Sequence, residues 1–99
     1  MATVSIRRQG TSIAYDPPSV KLGANDFIVF ANYDPEQPHQ PTPVGQAANY
    51  WFDNSLPPFV DGQPAATSPA INLAGTPTTP ITYEDGLNPG SGITGTITF

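Results

Sequence analysis

One imidazole, His39, and eight carboxylates are the titratable groups best placed to do chemistry in this 99-residue chain, which holds no cysteine and only three cations, Arg7, Arg8 and Lys21. A thiolate is the soft nucleophile and soft metal ligand of proteins, so its absence removes disulfides, thiolate metal sites and cysteine nucleophiles together. Acid–base catalysis lacks its parts as well. No Ser-His-acid set can be assembled on flanking loops, and a carboxylate pair such as Glu36 and Asp85 has no geometry set by its spacing. The plain reading of His39 is a ring that hydrogen-bonds a loop carbonyl at one end of the fold. Asp85 reads as a turn former, because Asp85-Gly86 is a strong turn dipeptide. Lys21 could in principle form an isopeptide bond, but a lone lysine before Gly23 reads as a solvated side chain. Tyr50, Trp51 and Phe52 form an aromatic cluster that could present a stacking surface to a sugar or a protein, with Trp51 the expected core anchor. The expectation is a non-enzymatic chain without a cofactor.

Charge and composition narrow the partners. The net charge is −5 and only 11% of residues are charged, so clustered Lys and Arg for phosphate contacts are missing and nucleic acid is not an expected partner. No apolar stretch is long enough for a signal peptide or a membrane span, and Met1 and Ala2 run directly into a β-like segment, which predicts a soluble chain. Hydrophobic residues make up 37% of the chain, enough for one modest core, and the expectation is a single domain over residues 1–99.

The elements that must position these groups are strands. No segment carries a sustained 3.6-residue apolar period, whereas short β-prone runs closed by Pro, Gly, Asn or Asp recur along the chain. Val4 and Ile6 alternate with Thr3, Ser5 and Arg7; Ser12 to Tyr15 follows, then Val20 and Leu22. Asp26 to Tyr33 is apolar on both faces and reads as a central strand. Asp34 to Gly45 contains four prolines and reads as an irregular loop. Ser55 to Pro64 is loop-like as well. Ala70 to Leu73 and Thr79 to Tyr83 read as strands joined by a turn at Gly75, Glu84 to Gly92 as a loop, and Ile93 to Phe99 as the closing strand. Seven to eight strands predict an all-β Greek-key sandwich.

The stretch Asp26-Phe-Ile-Val-Phe-Ala-Asn-Tyr-Asp34, followed by Pro38-His39, resembles the cupredoxin pattern of an acid opening a central strand that ends in Asn and leads to a copper-binding His. Tyr15-Asp-Pro17 with Val20, Leu22 and Gly23 is similar to the turn and strand that precede it. Thr79 to Tyr83 and Gly92 to Phe99 resemble the strands on either side of the copper loop. The resemblance runs over nearly the whole chain.

The resemblance implies a site that has lost its copper. Blue-copper proteins of the plastocyanin and azurin type use two imidazoles, a thiolate and a weak axial thioether. By resemblance His39 stands at the first imidazole, Asp85 at the Cys, Asn88 at the second imidazole and Ile93 at the axial Met. A carboxylate is a hard donor, an amide a weak one and Ile none, so type 1 copper and electron transfer are not expected. His39 and Asp85 could still hold a hard cation or zinc weakly, although two ligands fall short of the usual three or four and Glu84 points away in extended geometry. The implied function is a copper-free cupredoxin-like module with a structural or protein-interaction role. A carbohydrate- or ligand-binding sandwich module is the alternative. An extracellular or periplasmic setting follows from the resemblance alone.

Overall fold

A computed structural model of the chain describes residues 2–23, 26–44, 52, 54–72, 80–87 and 93–98. Strands β1 (Ala2–Gln9) and β2 (Ser12–Asp16) form an antiparallel hairpin. Gly10 at its turn has φ +65°, a region L side chains avoid. Strand β4 (Phe27–Asn32) lies parallel to β1, pairing Ile6 with Asn32, and is central in its sheet, as its apolar run predicts. Its outer neighbours are the short strands β6 (Ala66–Thr67) and β7 (Ile71–Asn72), which both pair antiparallel with β4. They act as one interrupted edge. Pro69 cannot donate to a ladder, and the Ser68 hydroxyl takes over by accepting the Phe30 N–H at 2.9 Å while Ser68 N–H donates to Phe30 O. Counting that edge as one strand, the nine segments among the described residues make eight.

The second sheet has the order β3-β9-β8-β5, from β3 (Ser19–Lys21), β9 (Thr94–Thr98), β8 (Ile81–Asp85) and β5 (Pro41–Pro43). Strand β5 falls inside the stretch expected to be an irregular loop. Val44 N–H donates to Thr82 O and Gly86 N–H donates to Gln40 O, so the even-numbered residues carry the ladder. The nitrogens of Pro41 and Pro43 therefore turn away from β8, the one arrangement an edge strand allows proline. Strand β8 also reaches further than predicted, taking in Glu84 and Asp85. It and β7 lie in different sheets, and the expected turn at Gly75 lies outside the described residues.

The core lies between the sheets. Val4, Ile6, Tyr15, Ile28, Phe30 and Ile71 face Val20, Leu22, Ile81, Tyr83 and Ile97, all buried. Burying each large apolar side chain contributes roughly 1.5–3 kcal/mol relative to exposure. Tyr83 meets Phe30 and Tyr15 edge-to-face, with centroids 5.0 Å and 4.8 Å apart. Burial pushes the hydroxyls of Tyr15 and Tyr83 well above their ordinary range. Gly95, paired with Tyr83, leaves room for its ring: a Cβ there would lie against the ring carbons, 2.6 Å from Cε2.

Candidate functional site

The inward rows of β1 and β4 are apolar until one end of the sandwich and then turn polar. On β1 the row reads Val4, Ile6, Arg8; on β4 it reads Ile28, Phe30, Asn32 and, just past the strand, Asp34. Parallel pairing continues as Tyr33 N–H donates to Ile6 O, which sets Arg8 beside Asp34. Asp34 is fully buried and fills its acceptor sites with four donors. Arg8 forks onto it, Nε to Oδ1 at 2.7 Å and Nη2 to Oδ2 at 2.9 Å. Glu36 N–H donates to Oδ1 at 2.9 Å, and His39 Nε2 lies 2.6 Å from Oδ2. Burial by itself raises the Asp34 carboxyl, but the hydrogen bonds from Arg8, the Glu36 amide and His39, with the charge of Arg8, outweigh it and hold the group at about 2.

The His39 ring is 1% exposed, and its other nitrogen, Nδ1, lies 2.6 Å from Asp85 Oδ2. The remaining oxygen of Asp85 accepts Gln40 N–H at 3.0 Å and Leu87 N–H at 3.1 Å. With Asp34 ionised, Nε2–H donates to its Oδ2, and a single proton bridges Nδ1 and Asp85 Oδ2. Arg8, Asp34, His39 and Asp85 thus form a continuous hydrogen-bonded chain across the end of the sandwich. Charge-assisted bonds of this kind are short and strong, and a buried ion is stable only when so satisfied.

Backbone and amide contacts hold the chain's supports in place. His39 and Leu56 exchange N–H to carbonyl bonds of 3.1 Å and 2.7 Å. Asn32 is buried, its Nδ2 within 3.0–3.1 Å of the carbonyls of Gln37, Leu56 and Pro57, and its Oδ1 accepts Asp34 N–H at 2.9 Å. One amide therefore ties together the two proline-containing loops that flank the ionic chain.

These residues do not fit copper. The chain has no thiolate, Ile93 offers no donor atom, and both nitrogens of His39 already face carboxylates. Among the described residues no group of three or more His, Asp or Glu side chains is arranged to hold a metal ion.

Oxidised plastocyanin from Dryopteris crassirhizoma matches this structure over 98% of each chain with a TM-score of 0.66 at 15% sequence identity. The chain has a cupredoxin-like fold. No protein-family model matches it, and no curated protein matches it in sequence. It is a cupredoxin-like β-sandwich without a cysteine, and hence without a blue-copper site.

On this fold, His39 and Asp85 are in direct contact. The expectation that the His39 ring bonds a loop carbonyl is corrected: its backbone does that, while both ring nitrogens meet carboxylates. Asp85 is more than a turn former, since its Oδ2 bonds the ring while its Oδ1 holds the Gln40 and Leu87 amides. Ile93 is half-buried and packs on the core. Asn88, Tyr50 and Trp51 lie outside the described residues. Phe52 is half-buried with its ring centroid 6.0 Å from Phe30, which makes it part of the core margin more than an open platform. Sequence reasoning missed Arg8 and Asp34. The signal was there, in two apolar period-2 rows that both turn polar at the same end.

The same end carries apolar surface. Tyr33 is 38%, Leu87 43% and Val60 61% exposed. Tyr33 packs against Phe59 at 5.6 Å, and the Arg7 guanidinium sits 4.8 Å over the Tyr33 ring. Among the described residues no helix is long and apolar enough to cross a membrane.

Proposed function

We propose that this chain is a copper-free cupredoxin-like module with a structural or protein-interaction role, and that it neither transfers electrons nor catalyses a reaction. The observation that carries the proposal is the engagement of both His39 ring nitrogens by Asp34 and Asp85. A ligand needs a free lone pair on nitrogen, and here an ion would have to displace a carboxylate hydrogen bond of 2.6 Å at whichever nitrogen of the buried ring it took. The ionic chain instead does the mechanical work of fastening β1, the loop after β4 and the end of β8. Exposed Tyr33, Val60 and Leu87 near that end support a protein partner. A sugar is less well served, because Arg7 already covers a face of Tyr33.

Titration with Cu(II) under oxidising and reducing conditions, followed by visible absorption and by the His39 ring resonances, tests the reading. The expected result is no intense visible band and no saturable shift of the ring. An intense band, or one-to-one binding that His39→Ala abolishes, overturns it.

A further inference from the structure

We infer that β2 is a pairing edge for a second copy of this chain, joined antiparallel about a two-fold axis through Ala14. Two sheets have four outer edges, and three of them are obstructed. Strand β5 turns the nitrogens of Pro41 and Pro43 outward, β6 and β7 are two residues each and broken at Pro69, and β3 is three residues long behind Pro17 and Pro18 with Lys21 at its end. Proline, brevity and lysine are the ordinary means by which an edge avoids a second chain. Strand β2 is five residues without an internal proline, and among the described residues β1 is its only strand neighbour.

The register decides what that edge presents. The hairpin turns through Gly10 and Thr11 with Gln9 opposite Ser12, so Ser12, Ala14 and Asp16 spend their backbone groups on β1. The N–H and C=O of Ile13 and Tyr15 face outward. An antiparallel second copy then pairs Ile13 with Tyr15 and Tyr15 with Ile13, forming four backbone hydrogen bonds with Ala14 opposite itself. The side-chain rows agree with this arrangement. Tyr15 is buried and Ile13 partly buried on the core side, so each Ile13 gains the neighbouring Tyr15 of the other copy, while the smallest residue of the strand sits on the axis.

Charge agrees as well. The chain carries −5 overall, yet the hairpin's one carboxylate is Asp16, Arg8 being turned to Asp34 and Glu36, and the other seven carboxylates lie elsewhere in the sequence. Asp16 is itself paired with Arg7 at 3.5 Å. This edge is where two acidic copies meet with least repulsion. The inference does not depend on the role of the His39 end.

A cysteine-free chain gives a direct test. In the paired arrangement Ala14 of the two copies occupies a non-hydrogen-bonded site with Cα atoms about 4.5 Å apart, within disulfide reach. Ser12 lies opposite Asp16, so two copies of Ser12 are about 13 Å apart, beyond that reach. Oxidation with diamide is expected to convert Ala14→Cys to a covalent dimer at least about tenfold faster than Ser12→Cys. Adding Ile13→Pro to Ala14→Cys removes an outward donor without touching the β1 ladder, and is expected to slow cross-linking to the Ser12→Cys rate, with circular dichroism reporting that the fold is kept. Equal cross-linking at positions 12 and 14, or a rate that Ile13→Pro leaves unchanged in a folded chain, overturns the inference.

Discussion

Asp34→Asn takes one charge from the middle of the buried ionic chain while keeping the shape of the side chain. The carboxylate accepts four hydrogen bonds, two from Arg8, one from the Glu36 amide and one from His39. An asparagine has one acceptor oxygen, and its amide nitrogen must then confront two donors whichever way it is turned. Removing one partner of a buried ion pair typically costs about 3–5 kcal/mol, because the remaining charge is left uncompensated. Domains of this size are stable by roughly 5–15 kcal/mol, and each kcal/mol moves Tm by about 4–8 °C, so a fall of at least about 12 °C is expected. The pH profile gives an independent reading. Asp34 is held at about 2 against its ordinary 3.8, a lowered value, so its contribution is complete above pH 3.8 and is lost as pH falls toward 2. That contribution is at most roughly 2 kcal/mol, less what solvent screening removes. Urea unfolding followed by circular dichroism between pH 7 and pH 2 checks both. The wild-type chain should lose stability across the window from about pH 4 to pH 2, and the part due to Asp34 should be missing from the variant's profile. A variant within about 1 kcal/mol of wild type at pH 7 would refute the claim that this charge is held by its neighbours.

Gly95→Ala should destabilise the fold by about 1–3 kcal/mol, because the new methyl meets the ring of fully buried Tyr83. Thermal unfolding of Gly95→Ala, Tyr83→Leu and the double variant checks the cause: the double variant should lose less than the sum of the two, and strict additivity would show that the ring is not what the methyl strikes. Replacing Asp85→Cys, Asn88→His and Ile93→Met together should produce an intense visible band on adding Cu(II). Asp85→Cys puts a thiolate where the Nδ1 partner of His39 now stands, leaving that nitrogen free to ligate. A folded, colourless triple variant would show the alignment of the copper loop to be wrong.

Much of the sandwich is legible in local patterns. The alternation of Val4 with Ile6 and of Ile28 with Phe30 selects strands and faces, and Gly10 supplies the turn between β1 and β2. Strand β5 was hidden because proline content argues against a strand unless the nitrogens are known to face an open edge, and which side is open is a property of the sheet. The break between β6 and β7 was hidden for a similar reason: a serine hydroxyl can stand in for a missing ladder group only where a neighbouring strand offers the N–H.

What the site lacks is written in the sequence. A chain without cysteine has no thiolate in any fold, so the loss of blue copper needed no coordinates. It also held both halves of the ionic chain, Arg8 with Asp34 and His39 with Asp85, separated by 26 and 46 residues. Only the tertiary structure could decide that they meet. Separations of that length carry no geometric information, and the protonation and pairing of a histidine depend on which carboxylates the parallel register of β1 with β4, and the pairing of β5 with β8, bring to its two nitrogens.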